Sequence, residues 1–129
     1  MSQATTNGAG ATAKSWLKSY NPSVPGDLAP LKHNSIHELL IDSCKRNGPK
    51  PAFQLMGKTI SYAEVDRESA AIGAYLQSKG LAKGARVALM MPNILQYPVC
   101  ILGVLRAGYT VVNVNPLYTP RELEHQLKD

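Results

Sequence analysis

Apolar and polar positions change their spacing several times after residue 34, and each change predicts a new helix or strand. Residues 36–44 place apolar side chains at helical spacing. Ser35 and Glu38 form a capping-box pattern in front of them, and Gly48 follows as a helix-ending residue. This part of the chain therefore predicts a first helix that begins after Ser35 and ends at Gly48.

The next stretch, AFQLMGKTISY, alternates between apolar and polar residues, as a β-hairpin does. Gly57-Lys58 is a Gly-X pair suited to its tight turn. Ser61 and Glu64 then form a second capping box, and the helix behind it is expected to stop at Gly80. The apolar face of this second helix consists of Val65, Ile72 and Leu76.

The apolar run RVALMM predicts a strand that is covered on both faces, as parallel strands are. A helix from about Asn93 to Ala107 follows, with Pro98 expected to distort its first turns, and TVVNV is the next strand. Strand, helix and strand in close succession form a crossover in a parallel sheet. The predicted fold class is α/β, a partial parallel sheet with crossover helices plus an N-terminal hairpin.

A last helix is clearly marked at its start, with Thr119 as N-cap, Pro120 at the first helical position and Glu122 completing a capping box. Leu123 and Leu127 begin an apolar stripe on it. No C-capping glycine and no strand follow before the sequence stops. A crossover helix leads into a strand, so we expect a fragment of a larger α/β unit.

Residues 1–34 are predicted to be a flexible N-terminal arm, and residues 35–129 an incomplete α/β subdomain. Residues 8–13 match the dinucleotide fingerprint GxGxxA, but no strand precedes them and no apolar helix follows directly, so the match is rejected. The next stretch is SWLKSYNPSVPGDLAP, where Pro22, Pro25 and Pro30 are expected to exclude regular structure. Trp16, Leu17 and Tyr20 are expected to attach an otherwise extended arm to a partner surface.

Composition narrows the range of functions. Apolar residues make up 44% of the chain and charged residues 18%, which is typical of a globular protein. The net charge of +5 comes from scattered basic side chains, so nucleic-acid binding is not predicted and weak attraction to anions or an acidic membrane surface is favoured. No signal peptide is visible, which predicts a cytoplasmic location. The apolar stretch 87–114 is broken by prolines and polar residues, and we interpret it as core rather than membrane.

Few residues suggest chemistry. Cys44 and Cys100 lack CxxC spacing, and small buried hydrophobic residues are favoured over a disulfide or metal site. His33, His37 and His125 have no ligand-like spacing, and His37 and His125 are expected to be solvated helix residues. The acidic cluster Glu64, Asp66 and Glu68 is interpreted as a solvated face that matches the positive end of its helix. We therefore predict no catalytic, cofactor-binding or metal-binding residue in this chain.

Ligands of open parallel sheets collect beyond the carboxyl ends of strands, and Asn93, Asn115 and Tyr118 follow such ends. Each of them could face a site. Structural roles are favoured instead: Asn93 caps its helix, Asn113 and Asn115 bond turn backbone, and Tyr118 packs on its loop.

Two stretches carry a resemblance to a known family. Ser61-Tyr62-Ala63-Glu64 is similar to an early motif of the adenylate-forming enzymes, and residues 105–116 resemble their later L-x-A-G motif with its Asn-Pro ending. MMPN-x-LQYP and NVNPLYTPRELEHQL resemble the bacterial long-chain fatty-acid–CoA ligases in particular, and the arm WLKSYNPSVP does so too. The resemblance covers residues 15–129, and it implies the first part of the large N-terminal domain of such an enzyme.

The resemblance implies a two-step ligase. A fatty carboxylate attacks the α-phosphorus of ATP with Mg²⁺ present, which gives an acyl-adenylate and pyrophosphate, and the thiol of coenzyme A then displaces AMP. The family's phosphate loop, acidic magnesium ligand, ribose-binding aspartate and catalytic lysine have no counterpart in these residues. Only scaffold positions are carried over: Gly108 as the turn between helix and strand, Asn115-Pro116 as the strand exit, and the Thr119–Glu122 cap. ATP, Mg²⁺ and coenzyme A are thus expected to serve the parent enzyme, and the fragment alone is expected to bind none of them well and to be inactive.

Two other hypotheses remain open. The arm and an exposed sheet edge could form an interaction module, with a homodimer through the arm. Separately, the parent enzyme could make peripheral contact with the inner membrane face, because its fatty substrate partitions into lipid. A free-standing nucleotide-binding domain ranks last, because no phosphate loop follows either strand.

Overall fold

The computed structural model describes residues 14–129, so the rejected GxGxxA match at residues 8–13 lies outside the described residues. The chain divides into two units, with the boundary between Lys32 and His33. In the first unit, Ser15–Ser19 form a short 3₁₀ helix, and the Lys14 ammonium pairs with the Asp27 carboxylate. The prediction of an extended arm is therefore wrong for this one turn, which precedes the first proline.

The second unit alternates helices and strands. Residues 33–129 form α1 (Ile36–Asn47), β1 (Pro51–Leu55), β2 (Lys58–Ser61), α2 (Tyr62–Gln77), β3 (Arg86–Met90), α3 (Gln96–Arg106), β4 (Thr110–Val114) and α4 (Pro120–Lys128). Strands β1 and β2 pair antiparallel, and β3 and β4 pair parallel with α3 between them in the chain. The predicted α/β class, the hairpin and the crossover are confirmed.

Helix α1 shows how its capping works in practice. The Ser35 hydroxyl accepts a hydrogen bond from the Glu38 backbone N–H at 3.3 Å, as predicted. The Glu38 carboxylate, however, accepts from the Asn34 backbone N–H at 2.9 Å and not from Ser35. The predicted capping box is therefore only half formed, because the carboxylate reaches one residue further back. The helix ends at Gly48, as expected.

The hairpin turn is displaced by one residue from the predicted Gly57-Lys58. Met56 and Gly57 both have positive φ, 48° and 75°, as the two central residues of a type I′ turn do, while Lys58 already pairs with Leu55 in the ladder. A positive φ is rare for methionine, so the sequence offered no signal for the correct position. Met56 is almost fully exposed at this turn.

Helix α2 packs against α3 through the predicted apolar face together with small residues beside it. Its buried positions are Val65, Ser69 and Gly73, spaced four residues apart. Ile72 and Leu76 are only half-buried, although they do pack at the edges of the core. The reciprocal Ser61–Glu64 capping box is confirmed, with the Glu64 carboxylate accepting from the Ser61 backbone N–H at 2.8 Å.

The β3–β4 pair is covered on one face only. Val87 and Leu89 of β3 point toward α3, whereas Arg86, Ala88 and Met90 are exposed on the other face. A cleft of about 380 Å³ separates that face from the end of α4. Of the two covered faces that the sequence predicts for β3, residues 14–129 supply one. We call the exposed side of this pair the open sheet face.

Helix α3 starts three residues later than predicted, at Gln96, with Leu95 as its N-cap. Pro98 therefore lies in the first turn, where its missing N–H has no intrahelical partner to lose. The expected distortion by Pro98 does not arise. The stretch that could be mistaken for a membrane span is thus strand, helix and strand, and no helix among residues 14–129 is long and apolar enough to cross a membrane.

The core consists of two clusters on the two sides of α3. One contains Cys44, Ile60, Val65, Val99 and Leu102, and the other contains Leu89, Val104 and Tyr109. The first joins α1, the hairpin and α2, and the second joins α3 to the parallel strands. Helix α3 is therefore the central element of residues 33–129.

Candidate functional site

The carboxyl ends of β3 and β4 lie side by side, because the two strands pair in register down to Met90 and Val114. The loops that follow both strands consequently leave the sheet at the same edge. This is where an open α/β sheet places its ligands. We call residues 90–97 and 113–119 the strand-end edge.

Asn113 connects three elements at this edge. Its side-chain oxygen accepts a hydrogen bond from the Tyr97 hydroxyl of α3 at 2.7 Å. Its backbone carbonyl accepts from the Gln126 side-chain amide of α4 at 3.0 Å. Asn113 was expected to bond turn backbone, and that prediction is wrong, because it lies within β4 and receives donors from both neighbouring helices. Its effect is to fix the strand exit relative to α3 and α4.

The three candidate ligand-facing residues have different outcomes. The Asn115 side chain accepts a hydrogen bond from the Leu117 backbone N–H at 3.0 Å, so its predicted role in the turn is confirmed. Asn93 does not cap α3, which begins beyond it, and instead lies exposed at the mouth of a cleft. Tyr118 is exposed beside Asn115, whose carbonyl accepts from its backbone N–H. The structure therefore brings the three to one edge without joining them in one site.

The strand-end edge does not fit ATP with Mg²⁺. Its side chains are amides, one hydroxyl, two phenols and apolar groups, with no charged residue among positions 90–97 and 113–119. Mg²⁺ is bound through carboxylates, and phosphates through cations or a glycine-rich backbone cradle. No group of three or more potential metal ligands occurs within residues 14–129. These residues can therefore position a site but do not supply its charges.

The acidic cluster on α2 has structural partners. The Glu64 carboxylate accepts hydrogen bonds from Ser61, and these bonds lower the pKa of Glu64. Asp66 pairs with the Arg106 guanidinium of α3, a side chain that is only 17% exposed. The interpretation of Asp66 as part of a solvated face is therefore wrong, because it links two helices. The Glu68 carboxylate lies 3.4 Å from the Arg67 guanidinium on the surface.

Both cysteines are free thiols, as predicted. Burial raises the pKa of the Cys44 thiol, and the nearby Asp66 carboxylate raises it further while Arg106 opposes this effect. Burial also raises the pKa of Cys100. A thiol with a raised pKa is a poor nucleophile at neutral pH, so neither cysteine has the environment of a catalytic residue.

The histidines also have ordinary roles. His33 lies 3.2 Å from the Asp42 carboxylate, which also accepts from Arg46. His37 is hydrogen-bonded to Ser35 at 3.0 Å and is half-buried, so its predicted solvation is wrong. His125 is exposed on α4, as expected.

One apolar feature was not foreseen from the sequence. A cleft of about 270 Å³ opens between β1 and the start of α3, with Asn93 and Gln54 at its rim and Phe53 in its wall. Phe53 is the single phenylalanine of the chain and remains 45% exposed. The sequence places Phe53 on a strand that alternates between apolar and polar residues. That alternation does not show which helix the strand faces, so it does not predict the cleft.

Comparison with known proteins decides the family. The model of the AMP-binding enzyme family matches residues 40–129. The chain belongs to the AMP-binding enzymes. The long-chain-fatty-acid–CoA ligase of Yersinia pestis is 53% identical over 117 residues, an alignment that covers 90% of this chain and 21% of that relative. The predicted resemblance is confirmed, and the chain spans about a fifth of the length of the curated relatives it matches.

Two solved structures share the fold of this chain. The crystal structure of VinN matches with a TM-score of 0.64 and 35% identity, covering 68% of this chain and 24% of that one. The N-terminal subdomain of Klebsiella oxytoca NpsA matches with a TM-score of 0.67 and 23% identity, covering 72% of this chain and 24% of that one. The expected placement in the N-terminal part of an adenylate-forming enzyme is therefore confirmed at the level of the fold.

The scaffold positions carried over from the resemblance have the expected geometry. Gly108 has a φ of 82° between α3 and β4, and the Thr119–Glu122 capping box is fully formed at the start of α4. Asn115-Pro116 forms the exit from β4. These positions therefore shape the chain where it enters β4, where it leaves β4 and where α4 begins.

Proposed function

We propose that this chain is the leading segment of an ATP-dependent long-chain fatty-acid–CoA ligase. Such an enzyme forms an acyl-adenylate and pyrophosphate from a fatty carboxylate and ATP, and then transfers the acyl group to the thiol of coenzyme A with release of AMP. The observation that carries the proposal is the 53% identity to a curated ligase of this name over nine-tenths of the chain.

The geometry supports a scaffold role for this segment. Two strand exits lie at one edge, and Asn113 bonds both neighbouring helices there, so loops that follow β3 and β4 start from fixed positions. Fixed positions matter in catalysis because reacting groups must be held in a narrow range of geometry. The uncharged strand-end edge implies that groups binding Mg²⁺ and the ATP phosphates come from elsewhere in the enzyme.

Several finer points belong to the same proposal. Use of Mg²⁺ and coenzyme A follows from the reaction class. A cytoplasmic location and peripheral contact with a membrane, from which a fatty acid could be drawn, stay predictions. The net charge of +5 favours weak contact with an acidic surface.

A chimera tests the proposal. The aligned segment of the Yersinia pestis ligase is replaced by that of this chain, and acyl-CoA formation from a long-chain fatty acid is measured. We expect the chimera to be active and the 129-residue chain alone to show no ATP–pyrophosphate exchange. A well-folded but inactive chimera would count against the ligase proposal, and turnover by the chain alone would refute the scaffold role.

A second candidate function is self-association. On the open sheet face Met90 is 42% exposed, and in the arm Trp16, Leu28 and Leu31 are exposed. Exposed apolar groups of this kind mark association surfaces. Sedimentation of the chain over a range of concentrations tests this function, including the predicted homodimer through the arm. A strict monomer at all concentrations would contradict it.

A further inference from the structure

An exposed loop joins α2 to β3 at the amino end of the parallel strand pair. Residues 77–84, with the sequence QSKGLAKG, are all exposed, and we call them the basic loop. Its two lysines, Lys79 and Lys83, flank Leu81, whose side chain is 47% exposed. The loop therefore presents one apolar group to solvent between two cations.

Contacts with the core and the backbone conformation hold the basic loop in place. The hydroxyl of the buried Tyr109 donates a hydrogen bond to the Leu81 carbonyl at 3.2 Å. Gly80 and Gly84, on either side of Leu81, have positive φ values of 67° and 81°, which glycine adopts without strain. The exposure of Leu81 is thus a property of the folded loop. A loop that is already ordered loses little conformational entropy when it binds a partner.

The positive charge of the basic loop is not neutralised by neighbouring carboxylates. No aspartate or glutamate occurs in the sequence between Glu68 and Glu122. Within residues 14–129, neither Lys79 nor Lys83 takes part in an ion pair. The Lys79 ammonium lies instead 4.4 Å from the centre of the Tyr75 ring. Two uncompensated cations on one exposed loop attract an anionic surface.

We propose that the basic loop binds the surface of a membrane that contains anionic lipids. Leu81 enters the interface between head groups and acyl chains, while Lys79 and Lys83 contact the lipid phosphates. Lysine suits this position, because its apolar stem can lie along lipid while its ammonium group stays at the head groups. Nucleic acid fits less well, since the loop contains no aromatic side chain on which a base could stack.

Binding through the basic loop leaves the strand-end edge accessible. The loop precedes β3, and the five residues of that strand span about 15 Å. The strand-end edge lies at the other end of the β3–β4 pair, so membrane contact does not obstruct the loops that start there. The inference assigns a surface to the peripheral contact named under the proposed function. It does not rest on ligase activity, so loss of lipid binding and an inactive chimera are separate failures.

Flotation of the 129-residue chain with lipid vesicles measures the binding. Vesicles of phosphatidylcholine mixed with phosphatidylglycerol are compared with vesicles of phosphatidylcholine alone, and the chain should bind only the anionic ones well. Each lysine near an anionic surface strengthens binding about fivefold, which corresponds to about 1 kcal/mol. The double variant Lys79→Gln/Lys83→Gln should therefore bind the anionic vesicles roughly 25-fold more weakly.

A charge-matched variant is the control for these two lysines. Lys45→Gln/Lys58→Gln removes two exposed lysines from α1 and β2 and lowers the net charge by the same amount. It should weaken binding by no more than about threefold, because charges away from the contact are screened by salt.

Leu81→Ser separates insertion of the apolar side chain from attraction by charge. Burial of the exposed half of a leucine side chain favours binding about fivefold, so this variant should bind about fivefold more weakly. That loss should persist at high salt, whereas the loss caused by Lys79→Gln/Lys83→Gln should disappear as salt screens the charges. Met56→Ser, at the more exposed hairpin turn, is the apolar control and should not change binding. Circular dichroism checks that each variant is folded.

Three results would overturn the inference. The chain could bind neither kind of vesicle, or both equally. The control variants could weaken binding as much as the loop variants, which would indicate general attraction of a basic protein to an anionic surface. Duplex DNA could bind more tightly than the anionic vesicles and depend on Lys79 and Lys83, which would assign the basic loop to nucleic acid.

Discussion

Gly103 lies where α2 and α3 approach most closely, and replacing it with alanine tests the account of that contact. A Cβ atom added at Gly103 would lie 2.5 Å from Cγ2 and 2.7 Å from Cβ of Ile72. It would also lie 3.2 Å from the Ser69 carbonyl oxygen. The Ile72 Cβ and the Ser69 carbonyl belong to or adjoin the backbone of α2, so rotation of a side chain cannot relieve the clash.

The size of the effect follows from two opposing contributions. Alanine in place of glycine inside a helix is favourable by about 1 kcal/mol. Overpacking a tight contact costs about 1–3 kcal/mol, and here we take the upper part of that range, about 2–3 kcal/mol, because two helices must separate. We expect Gly103→Ala to lower the free energy of unfolding by about 1–2 kcal/mol. With a urea m-value of about 1 kcal/mol/M for a domain of this size, the midpoint should fall by roughly 1–2 M.

Urea denaturation followed by circular dichroism measures this shift. Gly73→Ala is the matched control on the facing helix, because its added Cβ would meet Arg106 Cβ and the Gly103 carbonyl oxygen at 3.3 Å, a tight but adjustable distance. It should stay within about 0.5 kcal/mol of the natural protein. The cost of Gly103→Ala should also shrink in an Ile72→Ala background. A Gly103→Ala protein as stable as the natural one would refute the close-packing account.

Three further changes test other contacts. Asp66→Asn removes the partner of the mostly buried Arg106. The free energy of unfolding, measured in urea, should fall by about 1–3 kcal/mol, between the values for exposed and buried ion pairs. Glu68→Gln, which breaks a pair on the surface, is the control, and an equally small loss for both variants would contradict this expectation. Thr119→Ala removes the N-cap of α4 and should lower the stability of that helix by about 1 kcal/mol. The loss should appear as faster amide hydrogen exchange over residues 121–128, and Thr110→Ala is the control. The hydrogen bonds from Ser61 lower the pKa of Glu64 when the protein folds. The stabilisation by these bonds is therefore fully present above the pKa of an unfolded glutamate, about 4.3. It is lost as the pH falls through the lower pKa of the folded state. The stability gap between the natural protein and Glu64→Gln should therefore narrow from pH 7 to pH 3, and a constant gap would disprove this linkage.

Local signals in the sequence were sufficient for most element boundaries. Capping boxes involve residues three apart, so Ser61–Glu64 and Thr119–Glu122 could be identified without knowledge of the fold. The turn at Met56-Gly57 was misplaced because methionine rarely takes a positive φ.

Tertiary contacts could not be predicted in the same way. Nothing local indicates that Gly103 faces Ile72, or that Asp66 pairs with a residue 40 positions away. The apolar cleft beside Phe53 arises between β1 and the start of α3, and its volume depends on how these two elements pack. The proposed function rests on motif resemblance rather than on side-chain chemistry, because the strand-end edge carries no charged residue.

The open sheet face also governs how the protein behaves as a colloid. The net charge of +5 keeps separate molecules apart at low ionic strength, and salt screens that repulsion over a Debye length of about 8 Å at 0.15 M. Once the repulsion is screened, exposed Ala88 and Met90 can meet the same groups of another molecule. Solubility should therefore fall as salt is added, and dilute buffers of low ionic strength should favour storage and crystallisation trials.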